Sequence, residues 1–296
     1  MTDAIAHQRV EANGISFHVA SVGPEDAPAI LFVHGFPEGW MTWRPLMTLL
    51  PDLRMIAFDC RGYGETDHPR GGYDVFTLIE DIRSVIEVLN LDRPLLVSHD
   101  WGGALGWMFA HRYSSLIRGL VVVNCPHPRT LVRAVLRFED WQPFRIPWVP
   151  VFMLPWLPEF LLTTRPGRYL LRLSFILREG RKDRMDRGLV DEFVDRFRSP
   201  ADFTPPINYY REMVRTLLSS SERARLNDLY RAPISTPITV VWGEKDGALS
   251  WRVAQKSDRD AQQTVDWRLL EGVGHFVTLE ASDLLAQELE RVLAGT

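Results

Sequence analysis

The chain has 296 residues, of which 46% are hydrophobic, enough for one large core or for a core with an inserted subdomain. Its formal net charge is −4 and it has no basic run, so we do not expect nucleic acid to be a partner. Residues 1–14 lack a basic region followed by an apolar stretch, so we expect no signal peptide. Cys60 and Cys125 each follow a predicted strand, outside any metal-binding spacing, which predicts free buried thiols and a cytoplasmic location.

The first part of the chain alternates short apolar runs with amphipathic segments. Residues 10–20 alternate in polarity around Asn13-Gly14, which predicts a β-hairpin. Further strands are predicted at 29–33, 55–58, 95–98 and 120–123, and helices at 76–89 and 102–113. Fully apolar strands that alternate with helices indicate a mostly parallel sheet flanked by helices on both faces.

This alternation stops after residue 125 and resumes near residue 233. The intervening segment is rich in Arg, Leu, Trp and Pro, and its pattern predicts helices only. Those helices are expected at 130–138, 167–177, 189–197 and 209–218. Beyond residue 233 we predict strands at 238–242 and 264–270 and helices near 250–257 and 281–293. The chain therefore reads as one α/β core, residues 1–125 and 233–296, interrupted by a helical cap at 126–232.

The most apolar stretch, residues 146–162, lies within the predicted cap. It is too short to cross a bilayer comfortably, and it contains four prolines that disfavour a continuous helix. We therefore expect no transmembrane segment. A lid over a substrate pocket is the more natural interpretation.

One strand-to-helix junction carries a catalytic pattern. The sequence from Leu95 to Gly103 has the form small–x–nucleophile–x–small, with Ser98 and Gly102 as the small residues and Asp100 at the nucleophile position. The alternative is that Asp100 only caps the following helix. The order of the motifs elsewhere in the chain favours a nucleophile.

Three other motifs follow predicted strands. The HG-x-P sequence at 34–37 is typical of a loop that completes an oxyanion hole, with the backbone N–H groups of Phe36 and Trp101 as donors. Asp246 follows a later strand, although it could be a simple turn residue. His275 follows the last predicted strand, although it could be a buried core histidine. The order nucleophile, acid, histidine is that of an α/β-hydrolase.

The sequence resembles the α/β-hydrolase fold and, within it, the epoxide hydrolase family. The resemblance covers nearly the whole chain through HGFPEGW (34–40), DCRGYGETD (59–67), SHDWGGALGW (98–107), INYYR (207–211), WGEKD (242–246) and GVGHF (272–276). The sequence HDWGG narrows it to members with an aspartate nucleophile, which include epoxide hydrolases and haloalkane dehalogenases. The resemblance implies a mechanism without a metal or a cofactor.

The chemistry of an aspartate nucleophile is specific. A carboxylate with an ordinary pKa of about 3.9 is ionised at neutral pH and can attack an sp³ carbon without a base. His275 is then available to activate a water that hydrolyses the ester on Asp100. Asp246 would orient the imidazole. We therefore expect a covalent ester intermediate and, for an epoxide substrate, a vicinal diol product.

The resemblance implies two cap tyrosines that protonate the opening epoxide, and only one is evident. Tyr210 matches the second of them. Trp148 stands where the first is expected, and its indole N–H can donate a hydrogen bond but not a proton. Tyr169 could substitute for the missing tyrosine, or Tyr210 could work with a weaker partner.

Two other functions stay open. Trp101 and Trp148 could hold a halide in a haloalkane dehalogenase-like hydrolase. The chain could also be a homologue that keeps the pocket but has lost turnover.

The substrate is expected to be a hydrophobic small-molecule epoxide, because the predicted cap is rich in aromatic residues. Trp148, Tyr209, Phe152 and Tyr169 are the candidate substrate contacts. The sequence leaves a homodimer open.

Overall fold

The structure is a computed structural model that describes residues 5–181 and 184–295. The strands are β1 (Ala6–Ala12), β2 (Ile15–Val22), β3 (Ala29–Val33), β4 (Arg54–Phe58), β5 (Leu95–His99), β6 (Gly119–Val123), β7 (Ile238–Gly243) and β8 (Asp266–Leu270). They form one sheet in the order β1-β2-β4-β3-β5-β6-β7-β8. β2 is antiparallel to β1 and β4, and all other neighbours are parallel. The mostly parallel sheet and the hairpin at Asn13-Gly14 are thus confirmed.

Helices occupy most of the remaining chain. In chain order they are α1 (Arg44–Leu49), α2 (Val75–Val88), α3 (Trp101–Tyr113), α4 (Pro128–Leu136), α5 (Gln142–Arg145), α6 (Trp148–Phe152), α7 (Leu157–Thr163), α8 (Arg165–Ile176), α9 (Arg187–Arg196), α10 (Pro200–Leu218), α11 (Ser220–Leu229), α12 (Trp251–Ala254), α13 (Ser257–Ala261), α14 (Val277–Glu280) and α15 (Ser282–Gly295). Every long predicted helix is present with shifted ends. The helices that the pattern missed are mostly short or lie in the proline-rich segment.

The sheet is buried on both faces, as its apolar strands require. Every residue of β3, β5, β6 and β7 is buried. One apolar layer contains Phe17, Trp107 and Trp242, and the layer on the opposite face contains Phe32 and Trp43. The carboxyl ends of β3, β5, β6, β7 and β8 therefore meet at one edge, where the loops that follow these strands can converge.

The chain between β6 and β7, residues 124–237, is here called the helical insertion. It holds α4 to α11, and its described residues form no strand. Its longest helix, α10, begins well before the predicted residue 209 although Pro205 and Pro206 lie inside it. The helix start is stabilised by Pro200 in the first turn and by the Asp202 carboxylate, which accepts a hydrogen bond of 2.8 Å from the Ser199 backbone N–H.

Two further expectations can be compared with the structure. Cys60 and Cys125 are both free and buried, as predicted. No helix within residues 5–181 and 184–295 is both long enough and apolar enough to cross a membrane.

Candidate active site

Asp100 occupies the turn between β5 and α3, and its backbone is strained there. Its φ of 50° and ψ of −116° lie in a region that residues other than glycine rarely adopt. Its side chain makes no hydrogen bond to the first turn of α3, so the alternative that this carboxylate serves as a helix cap is wrong. The strained turn instead directs the carboxylate, with 19% of the side chain exposed, into a cavity.

The loop after β3 lies directly against this carboxylate. The Phe36 backbone N–H donates a hydrogen bond of 2.9 Å to Asp100 Oδ1. A Cβ on Gly35 would lie 2.4 Å from Asp100 Cβ, so only glycine allows the loop to approach so closely. The Trp101 backbone N–H, at the first residue of α3, makes no hydrogen bond to Asp100 or to any other described residue. Of the two predicted oxyanion donors, one is already on the carboxylate and the other is free.

His275 lies between two carboxylates. Its Nδ1 is 2.8 Å from Asp246 Oδ2, and its Nε2 is 3.6 Å from Asp100 Oδ2. The other oxygen of Asp246 accepts hydrogen bonds from the backbone N–H groups of Ala248 (2.7 Å) and Leu249 (2.9 Å). Asp246 is therefore held rigidly and can orient the imidazole.

The protonation states of these groups depend on one another. Burial by itself would raise the pKa of both carboxyls, but His275 lowers the pKa of Asp100 and of Asp246 below their ordinary values. Burial would lower the pKa of His275, but the charge and hydrogen bond of Asp246 and the nearby Asp100 raise it to about 10. At neutral pH the site therefore contains an imidazolium between two carboxylates.

Tyr210, on α10, lines the same cavity as Asp100 and makes edge-to-face aromatic contacts. The centroid of its ring is 5.0 Å from that of Trp101, 5.1 Å from that of Phe152 and 5.6 Å from that of Phe36. Burial and the negative charge of Asp100 raise the pKa of Tyr210 above its ordinary value, so it stays protonated.

Trp148, at the start of α6, is the second aromatic donor near the phenol. Its indole N–H is buried and makes no hydrogen bond to any described residue. Trp148 lines both cavities together with Tyr210, and the indole groups of Trp148 and Trp101 act on the pKa of Tyr210 in the downward direction, against burial.

Two cavities meet at Asp100, Trp148, Tyr210 and Ala248. The first, called the arginine cavity, has a volume of about 180 Å³, and its lining includes Phe36, Phe152, Ser174, Arg178, His275 and Phe276. The second, called the aliphatic cavity, has a volume of about 240 Å³, and its lining includes Leu131, Val135, Ile146, Val149, Met213 and Leu217. A ligand at Asp100 can therefore extend in two directions.

The similarity of this chain to known proteins agrees with that geometry. Residues 28–282 match the protein family described as alpha/beta hydrolase fold. Epoxide hydrolase 3 of Mus musculus is 32% identical to the chain over 90% of this chain and 71% of its own length. The chain belongs to the epoxide hydrolase family of the α/β-hydrolase fold. As a member of that family it is a hydrolase.

Other members of this group are similarly distant. Epoxide hydrolase 4 of Homo sapiens is 29% identical over 94% of this chain and 75% of its own length. The AB hydrolase superfamily protein YfhM of Bacillus subtilis is 29% identical over 87% of each chain. Among solved structures, Cfl2 from Burkholderia cenocepacia has a TM-score of 0.84 at 25% identity, covering 97% of this chain and 95% of its own. Epoxide hydrolase VrEH1 from Vigna radiata shares the fold with a TM-score of 0.82 at 24% identity, covering 100% and 99%.

Two of the four predicted substrate contacts line the cavities, and two do not. Phe152 lines the arginine cavity and Trp148 lines both cavities. Tyr169 is 63% exposed and lines neither, so it does not replace the missing cap tyrosine. Tyr209 is buried, and its hydroxyl donates a hydrogen bond of 2.9 Å to the Arg61 carbonyl, away from both cavities. The structure therefore places Tyr169 and Tyr209, two of the predicted substrate contacts, outside both cavities.

Several buried polar residues support the site although the sequence analysis assigned them no role in it. Asn124, directly after β6, donates from its side-chain amide to Asp246 Oδ2 at 2.6 Å and accepts from the Gly243 backbone N–H at 2.9 Å. In the sequence, the position of Asn124 directly after a predicted strand could have indicated that it lies near Asp246. Glu280 accepts hydrogen bonds from the backbone N–H groups of Gly274 and Gly180, both at 3.1 Å, and so joins the loop of the candidate histidine to the helical insertion.

Glu38 and His99 form a buried pair that connects the loop after β3 to the loop that contains His275. His99 Nδ1 is 2.8 Å from a Glu38 carboxylate oxygen that also accepts from the Gly35 backbone N–H at 2.9 Å. His99 Nε2 is 3.0 Å from the His275 carbonyl oxygen. Both side chains are fully buried. His99 was expected to be structural, and these contacts agree with that expectation.

A more open groove of about 630 Å³ lies elsewhere, between α2 and the α10–α11 region. It contains none of the predicted site residues. Its charged side chains pair with one another, for example Arg112 with Glu80 at 3.6 Å and Arg225 with Glu222 at 3.7 Å. The candidate site is therefore the pair of cavities at Asp100.

Proposed function

We propose that this protein adds water to an epoxide to give a vicinal diol, through a covalent ester on Asp100. One observation carries the proposal: Asp100, His275 and Tyr210 line the same cavity, with His275 Nε2 3.6 Å from Asp100 Oδ2. A nucleophile, a base and a proton donor are the groups that epoxide opening and ester hydrolysis require. The relatives named epoxide hydrolase support the same reaction.

In the first step, the Asp100 carboxylate attacks an epoxide carbon. The new C–O ester bond forms as the epoxide C–O bond breaks, and the electron pair moves to the epoxide oxygen. That oxygen takes the phenolic proton of Tyr210, which the raised pKa has kept in place until a strong base forms. Asp100 needs no base because its lowered pKa keeps it ionised.

Ester formation also changes the charge next to His275. The neutral ester removes one of the two carboxylates that hold the proton on the imidazole, so the pKa of His275 falls. The imidazolium can then return a proton to the Tyr210 phenolate. This transfer leaves a neutral imidazole, the form that can act as a base.

In the second step, neutral His275 removes a proton from a water that attacks the carbonyl carbon of the ester. The tetrahedral oxyanion is stabilised by the backbone N–H groups of Phe36 and Trp101. On collapse the ester C–O bond breaks, and the leaving alkoxide takes the proton that remains on the oxygen from water. The diol is released, and Asp100 is again a carboxylate beside the imidazolium that formed when His275 took the first water proton. The cycle is balanced in atoms, charge and protons without a metal or a cofactor.

The helical insertion, with the cap boundaries 126–232, closes this site in the proposal. Trp148, Phe152 and Tyr210 all come from it and line the cavity above Asp100. An apolar cover keeps bulk water from the nucleophile and suits a hydrophobic substrate. The two buried free thiols suit a reducing cytoplasm.

A trapping experiment tests the covalent route. The His275→Gln variant, incubated with a terminal alkyl epoxide, should gain the mass of one epoxide on the intact protein, because the ester forms but is not hydrolysed. The Asp100→Asn variant should gain none. Absence of an adduct on a folded His275→Gln protein would defeat the proposal. In wild type, a single turnover in heavy-oxygen water should place protein-derived oxygen in the first product.

A haloalkane dehalogenase is the second candidate. The observation that favours it is the buried Trp148 indole N–H without an acceptor, in a cavity that Trp101 also lines. The same trapping experiment with a 1-haloalkane separates the two, because a dehalogenase releases halide and an epoxide hydrolase forms a diol. A protein that lacks turnover altogether would give no adduct with either electrophile.

A further inference from the structure

We propose that Arg178 binds a carboxylate that the substrate carries within a few atoms of its epoxide ring. This inference rests on the proposed function and names its substrate class. The substrate would be an epoxide with a carboxylate on one side and an apolar group on the other.

Arg178 makes one contact through its backbone and another through its guanidinium group, next to the groups that would react. Its backbone carbonyl accepts a hydrogen bond of 3.1 Å from the His275 backbone N–H. Its guanidinium carbon lies 4.6 Å from the centroid of the Trp148 ring, in a cation–π contact. The side chain lines the arginine cavity together with Asp100 and Tyr210. The cation thus faces the space in which a bound epoxide would lie.

The charge of this arginine is not paired. Its guanidinium makes one hydrogen bond, of 2.8 Å, to the Ser174 carbonyl, and it forms no ion pair with a carboxylate of residues 5–181 or 184–295. By contrast, Arg172 in the same segment pairs with Asp191 at 2.7 Å. Burial lowers the pKa of Arg178 from its ordinary value, which is the penalty for a partly desolvated cation. An anionic ligand would remove that penalty.

The charges around the arginine cavity also favour an anion. Its charged lining residues in the described chain are Asp100, His275 and Arg178. The protonated His275 is already balanced, because it lies between Asp100 and Asp246, whereas Arg178 is the cation of this lining that forms no ion pair with a described carboxylate. Ester formation neutralises Asp100, and the proton transfer to Tyr210 neutralises His275, so Arg178 keeps its unpaired charge and would compensate a carboxylate on the substrate throughout the reaction.

The two cavities indicate where the other parts of the substrate would bind. The aliphatic cavity, of about 240 Å³, has no Lys or Arg among its described lining residues, so it suits the apolar substituent. The arginine cavity is smaller, about 180 Å³, and shares Asp100 with it. Because the nucleophile and the cation line this small cavity together, the carboxylate must lie close to the epoxide.

A matched pair of substrates tests this inference. We would measure kcat/KM for trans-2,3-epoxyhexanoate and for its neutral primary amide, which has nearly the same shape. The ratio of acid to amide should fall about 10- to 100-fold from wild type to Arg178→Met, the effect of one charge-assisted contact. Arg178→Lys keeps the charge and should retain part of the ratio. Arg172→Met removes a surface arginine of α8 and should leave the ratio at the wild-type value.

Two outcomes would overturn the inference. The ratio could stay unchanged in Arg178→Met while both substrates slow equally, in which case Arg178 would act on the opening oxygen through Tyr210 or only on the fold. Alternatively, Arg178→Lys and Arg178→Met could both keep the wild-type ratio and the wild-type kcat/KM for each substrate, in which case Arg178 would have no role in the reaction. Circular dichroism and thermal unfolding identify a variant that fails to fold.

Binding of unreactive compounds separates this inference from the proposed function. Calorimetry on wild type should show tighter binding of hexanoate than of hexanamide, by about 10- to 100-fold. Equal binding of hexanoate and hexanamide would defeat the inference even if neutral epoxides give diols. Because this measurement uses wild type, it does not depend on whether an Arg178 variant folds. Absence of both diol and trapped adduct with neutral epoxides would instead defeat the proposed function, while the hexanoate comparison would still report on Arg178.

Discussion

Tyr209 and Tyr210 are neighbours in sequence but lie in different surroundings. Successive residues of an α-helix point about 100° apart, so α10 can direct one tyrosine into the core and the next into the site. The hydroxyl of Tyr209 donates to the Arg61 carbonyl, whereas Tyr210 lines both cavities. The pair therefore provides a matched test of the role of the phenol.

Tyr210→Phe should lower kcat/KM for an epoxide by about 10²- to 10⁴-fold, the usual range for loss of an acid–base group. Tyr209→Phe loses one buried hydrogen bond and should cost about 1 kcal/mol of stability while activity changes little. Steady-state diol formation and urea unfolding of both variants provide the measurements. Near-normal diol formation by Tyr210→Phe would contradict its role as proton donor.

The charge state of His275 is a second prediction at this scale. Asp100→Asn removes the charge of one neighbouring carboxylate and imitates the neutral ester, so it should lower the pKa of His275 from about 10. An NMR titration of labelled histidines, assigned with His275→Gln, measures the shift. An unchanged pKa in Asp100→Asn would contradict the proton transfer proposed between the two steps.

The same pKa affects stability. His275 is more basic in the folded protein, about 10, than in an unfolded chain, about 6.5, so its protonation favours the folded state. That contribution is fully present below about pH 6.5 and disappears as the pH rises through 10. The free energy of unfolding of wild type, relative to His275→Gln, should therefore decrease between pH 6.5 and 10.

At the scale of elements, the β5–α3 junction depends on glycines that bring backbone segments together. A Cβ on Gly102 would lie 2.2 Å from the Val33 carbonyl oxygen, and a Cβ on Gly35 would overlap Asp100. Backbone atoms cannot move aside as the end of a side chain can. The first turn of α3 and the loop after β3 therefore require glycine, and this contact positions Asp100.

Gly102→Ala should destabilise the protein by about 2–3 kcal/mol, because β3 or α3 must shift to accommodate the methyl group. Gly71→Ala is the matched control, since a Cβ there meets nothing within 4 Å and the backbone has no positive φ. It should change stability by less than about 1 kcal/mol. Equal unfolding midpoints in urea for the two variants would contradict the close packing of α3 on β3.

At the scale of the whole molecule, the helical insertion is joined to the sheet by polar contacts. Arg196 of α9 lies 3.1 Å from Asp59, a fully buried carboxylate that follows β4 and also accepts from the Trp40 backbone N–H at 3.0 Å. Tyr209 and Arg178 make the contacts with Arg61 and His275 described above. These contacts, which join segments far apart in sequence, determine where the insertion lies over Asp100.

Arg196→Met should cost about 2–4 kcal/mol, because it leaves the buried Asp59 carboxylate without its guanidinium partner. Arg231→Met is the control, since Arg231 and Asp228 are 80% and 72% exposed and such a pair contributes little. Urea unfolding of both variants gives the comparison. A loss for Arg196→Met no larger than for Arg231→Met would show that this contact does not stabilise the insertion on the sheet.

The sequence by itself predicted what depends on neighbouring residues. Alternating polarity with Asn13-Gly14 predicted the hairpin, apolar runs predicted the parallel strands, and the small residues around Asp100 predicted the elbow. Asp100, Asp246 and His275 each lie, in the expected order, in a loop after a predicted strand. The carboxyl ends of parallel strands meet at one edge of a sheet, so these loops can converge. Such features are encoded locally, so they can be recognised in one sequence.

Only the tertiary structure decided which distant side chains meet. Asn124 contacts Asp246 across 122 positions, and Arg178 lines the same cavity as Asp100 although no motif surrounds it. Tyr169 lies on the surface although its residue type suited the missing donor. The sequence pattern did not predict the first turns of α10, because proline locally disfavours a helix. Packing and the capping residues at the helix start nevertheless stabilise these turns. These outcomes depend on the packing of segments far apart in sequence, which local patterns do not encode.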